Sequence, residues 1–205
     1  VGDPVTAPPE GSLLPETYLY SRNTNRADLI KRMQEAQQKT LADLWAKRAA
    51  DLPYSTPEQA VILASVVEKE TAVPEEYGLV AGVFVNRLRQ GMRLESDPTI
   101  IYGITKGRPL GRSLTRSDID TKTDWNTYRI DGLPVTAISN PGRKALAAVM
   151  NPQKTDSLFF VADGTGGHAF ARTLDEHNEN VKRWRSIELA KAKALAAIED
   201  SPRRE

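Results

Sequence analysis

The sequence contains no cysteine. That absence removes disulfide staples, thiolate nucleophiles and cysteine metal sites together, and it leaves the redox compartment open. No apolar run approaches the roughly 20 residues needed to span a bilayer, and no signal peptide opens the chain. An excess of one charge is missing too. The 28 Lys and Arg face 27 Asp and Glu, so no global basic field exists to hold a polyanion by counterion release, and nucleic acid is not expected as a partner. Histidine occurs only at His168 and His177; two imidazoles without a third matched ligand do not make a zinc site, and neither a metal nor another cofactor is expected. The turn Gly164-Thr165-Gly166-Gly167 lacks the Lys-Ser/Thr ending of a phosphate loop, which argues against nucleotide binding.

What is present is ordinary globular material. With 205 residues, 40% of them hydrophobic and 27% charged, the chain can bury a sizeable core. It starts at Val1 and not at an initiator Met, which points to a processed or cut chain. Residues 1–15 carry four prolines and read as an extended lead-in along the surface. An amphipathic helix is expected over 26–50 behind an Asn25 cap, with Leu29, Ile30, Met33, Leu41, Leu44 and Trp45 on its apolar side. Thr56, Pro57 and Gln59 spell a capping box for a helix over 57–71. Another should run over 75–89 and stop at Gly91. Residues 92–138, rich in Gly, Pro and Asn, read as loop with short helices or strands, the kind of segment that carries function. Asn140-Pro141-Gly142 should open a helix to Met150 by an Asn cap and a first-turn proline. A hairpin with a four-residue loop is expected over 157–172, then a long charged helix capped by Thr173, with its Ala- and Lys-rich end from Ala190 in solvent and residues 201–205 frayed. The fold class is therefore α+β, mainly helical, with a small antiparallel sheet. The expected organisation is a lead-in at 1–15, a catalytic domain at 16–186 and a charged extension at 187–205.

Chemistry points first to the end of the helix over 57–71, where Glu68-Lys69-Glu70 follows an apolar run. Two positions apart on a helix, the carboxylates point about 200° from each other and cannot face a common bond. Residues three, four and seven before Glu70 are Val67, Val66 and Leu63; before Glu68 they are Ser65, Ala64 and Val61. Glu70 thus extends the greasier row, and burial there disfavours ionisation, the condition for a carboxylic acid that must give up a proton near neutral pH. Glu68 suits holding a loop or orienting Glu70. On pattern alone, both also fit as ordinary surface glutamates.

The segments ASVVEKETAV at 64–73, VFVNRL at 83–88, GMRLESDPTIIYG at 91–103, NTYRIDGLPVTAISNPG at 126–142 and FFVADGTGGHAFARTLDEHN at 159–178, with LPETY at 14–18, strongly resemble the YceG-like (MltG) endolytic murein transglycosylases. The resemblance covers most of 14–184. It implies that the second glutamate of EKE, Glu70, is catalytic, and that the reaction cleaves the glycosidic bond after N-acetylmuramic acid with a 1,6-anhydro end. The implied partner is peptidoglycan glycan strands, with cell-wall synthesis machinery nearby. The implied location is the periplasmic face of the inner membrane, held there by an upstream N-terminal helix and acting as a monomer.

Within those segments Asn86, Asp97, Tyr102, Asn126, Tyr128, Asn140 and His168 are candidates to line a sugar groove, since amides and phenols recognise a neutral, hydroxyl-rich ligand. Each has a second account. Asp97 before Pro98 fits a helix cap, Asn126 and Asn140 fit turn or cap positions, and Tyr102 and Tyr128 fit core-edge aromatics. His168 could equally fasten its loop to a carbonyl. Asp97, Tyr128 and Asn140 are the first choices. A catalytically idle binding module and a hydrolytic muramidase are the competing functions, the latter needing a second carboxylate such as Asp97.

Overall fold

A computed structural model of the chain describes residues 6–199, the side chains of 195–199 apart. Packing divides it into two units, one ending at Thr155 and the other beginning at Asp156. The class is α+β. Among the described residues there are seven α-helices, one 3-10 turn and a single two-stranded antiparallel sheet.

In the first unit the central helix is α2 (Pro57–Glu70). Five consecutive residues, Leu63 to Val67, are buried; at about 100° each they cover every side of the helix, so α2 is wrapped by neighbours. Those neighbours are α3 (Tyr77–Arg89) and α6 (Arg143–Met150), with α1 (Arg26–Ala46) and α4 (Asp97–Thr105) touching it as well. Ala145 and Ala148 on α6 are buried small residues, which lets that helix approach closely.

Local cap chemistry explains most of the helix starts. Asn25 accepts from the Asp28 amide at 2.7 Å, and Thr56 and Gln59 form the full reciprocal box ahead of α2. Pro74 opens the 3-10 turn Pro74–Glu76, after which α3 begins at Tyr77, and Gly91 takes a left-handed φ of 66° beyond its end. The first helix stops at Ala46, short of the expected residue 50, because the chain turns to bond the end of α6: the Ala49 amide donates to the Met150 carbonyl at 2.9 Å. Within 92–138 the structure adds α4 and the short α5 (Arg116–Asp120).

Two expectations are corrected here. Asn140 does not cap α6; Gly142 holds that position without a side-chain bond, and the Glu68 carboxylate accepts the Gly142 amide at 2.9 Å. Nor does the lead-in merely follow the surface. Gly11 and Leu14 are buried, and the Leu14 amide donates to the Met33 carbonyl at 3.2 Å. The Gln37 side-chain amide donates to the Gly11 carbonyl at 2.9 Å. Gly11 is required where it stands: at φ 81°, a Cβ would lie 2.7 Å from Val61 Cγ1 and 2.9 Å from Ala137 Cβ.

The second unit pairs β1 (Phe159–Ala162) with β2 (His168–Ala171), Phe159 opposite Ala171 and Ala162 opposite His168. Its loop is five residues long, not four: Asp163 Oδ1 accepts from the amides of Thr165 and Gly167 at 2.7 and 3.3 Å, while the Asp163 amide donates to the Gly167 carbonyl at 2.9 Å. Helix α7 (Leu174–Glu199) packs on both strands, and Thr173 with Glu176 caps it. The Lys191 ammonium donates to the Gly164 carbonyl at 2.7 Å, and residues 190–194 are exposed, as expected for the Ala- and Lys-rich end. The expected fraying of 201–205 lies outside the described residues. Among the described residues no helix is long and apolar enough to cross a membrane.

Candidate active site

Glu70 is the last residue of α2 and is half-buried there. Leu63, Val66 and Val67 behind it are all fully buried. The negative end of the helix dipole also lies at this position, so both surroundings and dipole act against the ionised carboxylate. One strong contact opposes them. The Ser96 hydroxyl donates to Glu70 Oε1.

Ser96 is held by a lattice of buried hydroxyls. Its side chain and backbone are 1% exposed, and its amide donates to Thr127 Oγ1 at 3.0 Å. Thr99 Oγ1 lies 2.9 Å from Thr127 Oγ1 and donates to the Ser96 carbonyl at 2.6 Å. The Thr127 amide returns a bond to Thr99 Oγ1 at 3.2 Å. The turn that delivers Ser96 is strained: Glu95 sits at φ 51°, unusual for a residue with a side chain. Buried Arg87 stabilises it, donating to the carbonyls of Arg93 and Leu94 and pairing with Glu95 at 3.1 Å.

Beside this notch, the Tyr128 hydroxyl donates to Asp97 Oδ1 at 2.8 Å. Burial chiefly, then the charge of Asp97 and its hydrogen bond, then Glu95 and Glu70, push the Tyr128 phenol well above its usual range. Tyr128 therefore stays protonated and feels Glu70's charge. Asp97 is not the cap of α4: Ser96 occupies the cap position and Asp97 is the first helical residue, exposed and engaged by Tyr128.

A cleft of about 570 Å³ continues from here, lined among others by Lys69, Tyr102, Arg108 and Asn140. Tyr102 meets Trp125 edge to face at 5.7 Å, and Lys106 lies over the Trp125 ring at 3.2 Å. Asn140 spends its amide on the lead-in, accepting from the Leu13 amide at 3.0 Å and donating to Glu10 Oε2 at 3.2 Å.

The sequence profile of the YceG-like family matches residues 3–183. The chain belongs to the YceG-like family. It is similar to an endolytic murein transglycosylase of Bacillus subtilis (strain 168), 32% identical over 178 residues that make up 86% of this chain and 48% of that protein. One of Streptococcus pneumoniae serotype 2 (strain D39 / NCTC 7466) is 35% identical over 179 residues, 84% of this chain and 31% of that protein. In a crystal structure at 2.6 Å, a yceG-like protein of Listeria monocytogenes superposes with a TM-score of 0.68 at 31% identity, over 82% of this chain and 53% of the other. The chain thus spans about half or less of the length of these relatives.

The candidates in this YceG-like chain separate into groups. Glu70, Asp97 and Tyr128 come together around Ser96, and Tyr102 and Asn140 line the adjoining cleft. Three others act as fastenings. Glu68 accepts the Gly142 amide and bonds Tyr77, whose phenol is raised by burial first and by Glu68 next. Asn86 donates to the Thr155 carbonyl at 2.8 Å. Asn126 is 1% exposed and spends its amide on the Ile119 and Thr121 carbonyls and the Tyr128 amide, so no surface is left for a sugar. His168 belongs to the second unit, where its ring packs edge-on against Phe160 at 5.3 Å and Phe170 at 6.4 Å. Sequence reasoning missed Ser96, Thr99, Thr127, Glu95 and Arg87. The available signal was their place inside the family-like segments: Glu95, Ser96 and Thr99 in GMRLESDPTIIYG, Arg87 in VFVNRL and Thr127 in NTYRIDGLPVTAISNPG.

Proposed function

We propose that this chain is the catalytic region of an endolytic murein transglycosylase that cuts peptidoglycan glycan strands after N-acetylmuramic acid and leaves 1,6-anhydro ends. The observation that carries the proposal is the placement of Glu70 compared with that of the other two candidate carboxylates. Glu70 sits half-buried at the end of α2 under the Ser96 hydroxyl, whereas Asp97 is exposed and taken by Tyr128, and Glu68 is taken by Gly142. The curated relatives' names point to the same chemistry.

One carboxyl group suffices for this reaction. Protonated Glu70 gives its proton to the glycosidic oxygen as positive charge develops at the anomeric carbon, and the C1–O bond breaks. The new carboxylate, held by Ser96, then takes the proton of the muramic acid's own 6-hydroxyl as that oxygen closes on C1. The nucleophile is tethered to the electrophile, so its effective concentration is high and no second carboxylate has to activate water. On the same reading the full protein works at the periplasmic face of the inner membrane, beside the cell-wall synthesis machinery, as an anchored monomer.

Purified glycan strands incubated with the chain and weighed by mass spectrometry test the assignment. Anhydro-ended fragments, lighter by one water than hydrolysis products, are expected, and Glu70→Gln should lower their formation by about 10²- to 10⁴-fold. Reducing ends would establish a muramidase instead, and uncut strands a binding module. Should Glu68→Gln lose activity while Glu70→Gln keeps it, Glu70 is not the acid.

A further inference from the structure

The cleft beside the Glu70 notch carries charge that neutral sugars do not require. Its wall contains the cations Lys69, Arg108 and Arg112 and one carboxylate, Glu10. Two of these four are committed. Arg112 pairs with Asp118 at 2.5 Å and holds that carboxyl well below the usual range, and Glu10 accepts from Asn140. Lys69 and Arg108 reach no carboxylate among the described residues. Glu10 keeps its negative charge, since the Asn140 amide is neutral, so these two unpaired cations against that one carboxylate leave the cleft net positive toward whatever enters it.

Their position gives that potential a target. Lys69 directly precedes Glu70 on α2, and Pro98, also in the wall, directly follows Asp97. The cleft wall therefore contains the chain neighbours of Glu70 and Asp97, although not those two residues themselves. The bond at Glu70 is the C1 bond of a muramic acid, and muramic acid is the sugar that carries a peptide, attached through the lactyl group on its C3. That stem peptide ends in carboxylates. A strand seated with its C1 at Glu70 must send an anionic peptide away from the same ring, and a volume of about 570 Å³ lies in the range that accepts a ligand of a few residues.

We propose that this cleft binds the anionic stem peptide of the muramic acid being cleaved, with Lys69 and Arg108 as its carboxylate contacts, so that the chain prefers peptide-bearing strands over denuded ones. This rests on the transglycosylase assignment above and adds a substrate preference to it.

The experiment compares three matched glycan strands: one with free-acid stem peptides, one with those carboxylates amidated, and one stripped of peptides by an amidase. Formation of anhydro ends gives kcat/KM for each. The free-acid strand is expected to exceed both others by about tenfold at low ionic strength, with the preference shrinking as salt rises. In the doubly substituted Lys69→Ala, Arg108→Ala protein the ratio between free-acid and amidated strands should fall toward one. Both residues are exposed, so the fold should survive the change, which circular dichroism checks. Equal rates on all three strands, with anhydro ends formed, overturn the preference and leave the transglycosylase assignment intact. A free-acid to amidated ratio that is unchanged in the double variant overturns the role of the two cations. No anhydro ends from any strand overturn both.

Discussion

Replacing Ser96 with Ala removes one oxygen atom and little else. The Ser96 amide keeps its 3.0 Å bond to Thr127 Oγ1, and its carbonyl still accepts from Thr99, so the turn that delivers residue 96 stays anchored. What is lost is the donor to Glu70, in a place 1% exposed where bulk water does not take over. A hydrogen bond from a hydroxyl to a carboxylate contributes about 1.5–3 kcal/mol, and that bond gains strength as Glu70 gives up its proton, so the loss falls on the chemical step. The expected effect is a fall in kcat of roughly 10- to 100-fold with KM little changed. A second readout follows from the sign of the interaction. The Ser96 donor favours the ionised form, so without it the carboxyl holds its proton to higher pH. The alkaline limb of kcat/KM should then move up by about one to two pH units, from the same energy at 1.36 kcal/mol per unit. Anhydro-end formation on purified strands between pH 4 and 9 measures both, and Ser96→Thr, which restores the hydroxyl, should recover the limb. If Ser96→Ala leaves both kcat and the limb in place, Ser96 does not position Glu70.

Burial, partly offset by Arg89, pushes the Tyr54 phenol up from 10.0, and the hydroxyl is bound to the Val149 carbonyl, so above about pH 10 the unfolded chain loses a proton that the native state keeps. Stability should fall as pH rises there, by about 1.4 kcal/mol per pH unit from this residue, and urea titrations from pH 9 to 11.5 should show a slope shallower by that amount in Tyr54→Phe. Gly11→Ala forces a left-handed alanine with its Cβ 2.7 Å from Val61, which should cost about 2–4 kcal/mol in urea denaturation. Glu68→Ala strands the Gly142 amide and the Tyr77 hydroxyl; a loss of about 1–3 kcal/mol in stability is expected, measured by the same titration.

Helix starts were legible because cap chemistry is local. Thr56 and Gln59 lie three residues apart, and so do Thr173 and Glu176, and each pair satisfies amides within its own turn. The buried apolar row behind Glu70 was legible for the related reason that helical spacing fixes it. The remainder is set by partners distant along the chain. Asn-Pro-Gly at 140–142 has the composition of a cap, yet Asn140 serves Leu13 and Glu10, and α6 is capped by Glu68. Nothing in the local spacing of Asn140 announces those contacts. The lead-in looked like surface chain because prolines dominate it, while Gly11 and Leu14 decide where it lies. The class of Asn126 was right and its direction was not: an amide suited to a sugar is equally suited to three backbone groups of its own loop.

Ser96 shows why the acid alone does not make the site. A carboxyl at the end of a helix has freedom to rotate, and Ser96, whose hydroxyl donates to Glu70, belongs to a different element. Orientation comes from the segment 94–99, which crosses the end of α2 only because Glu95 adopts a left-handed turn that Arg87 stabilises from α3. The turn is strained by about 1–3 kcal/mol, and two buried hydroxyls, of Thr99 and Thr127, oppose its relaxation with direct bonds at 2.6–3.2 Å. Glu70 is thus met by a side chain from a different element than the one that carries it, the Ser96 hydroxyl donating to its Oε1. That arrangement lets α2 remain an uninterrupted packed helix while a loop side chain meets the Glu70 carboxylate, so that, on the proposed mechanism, a change at residue 96 alters proton transfer with little cost to the core.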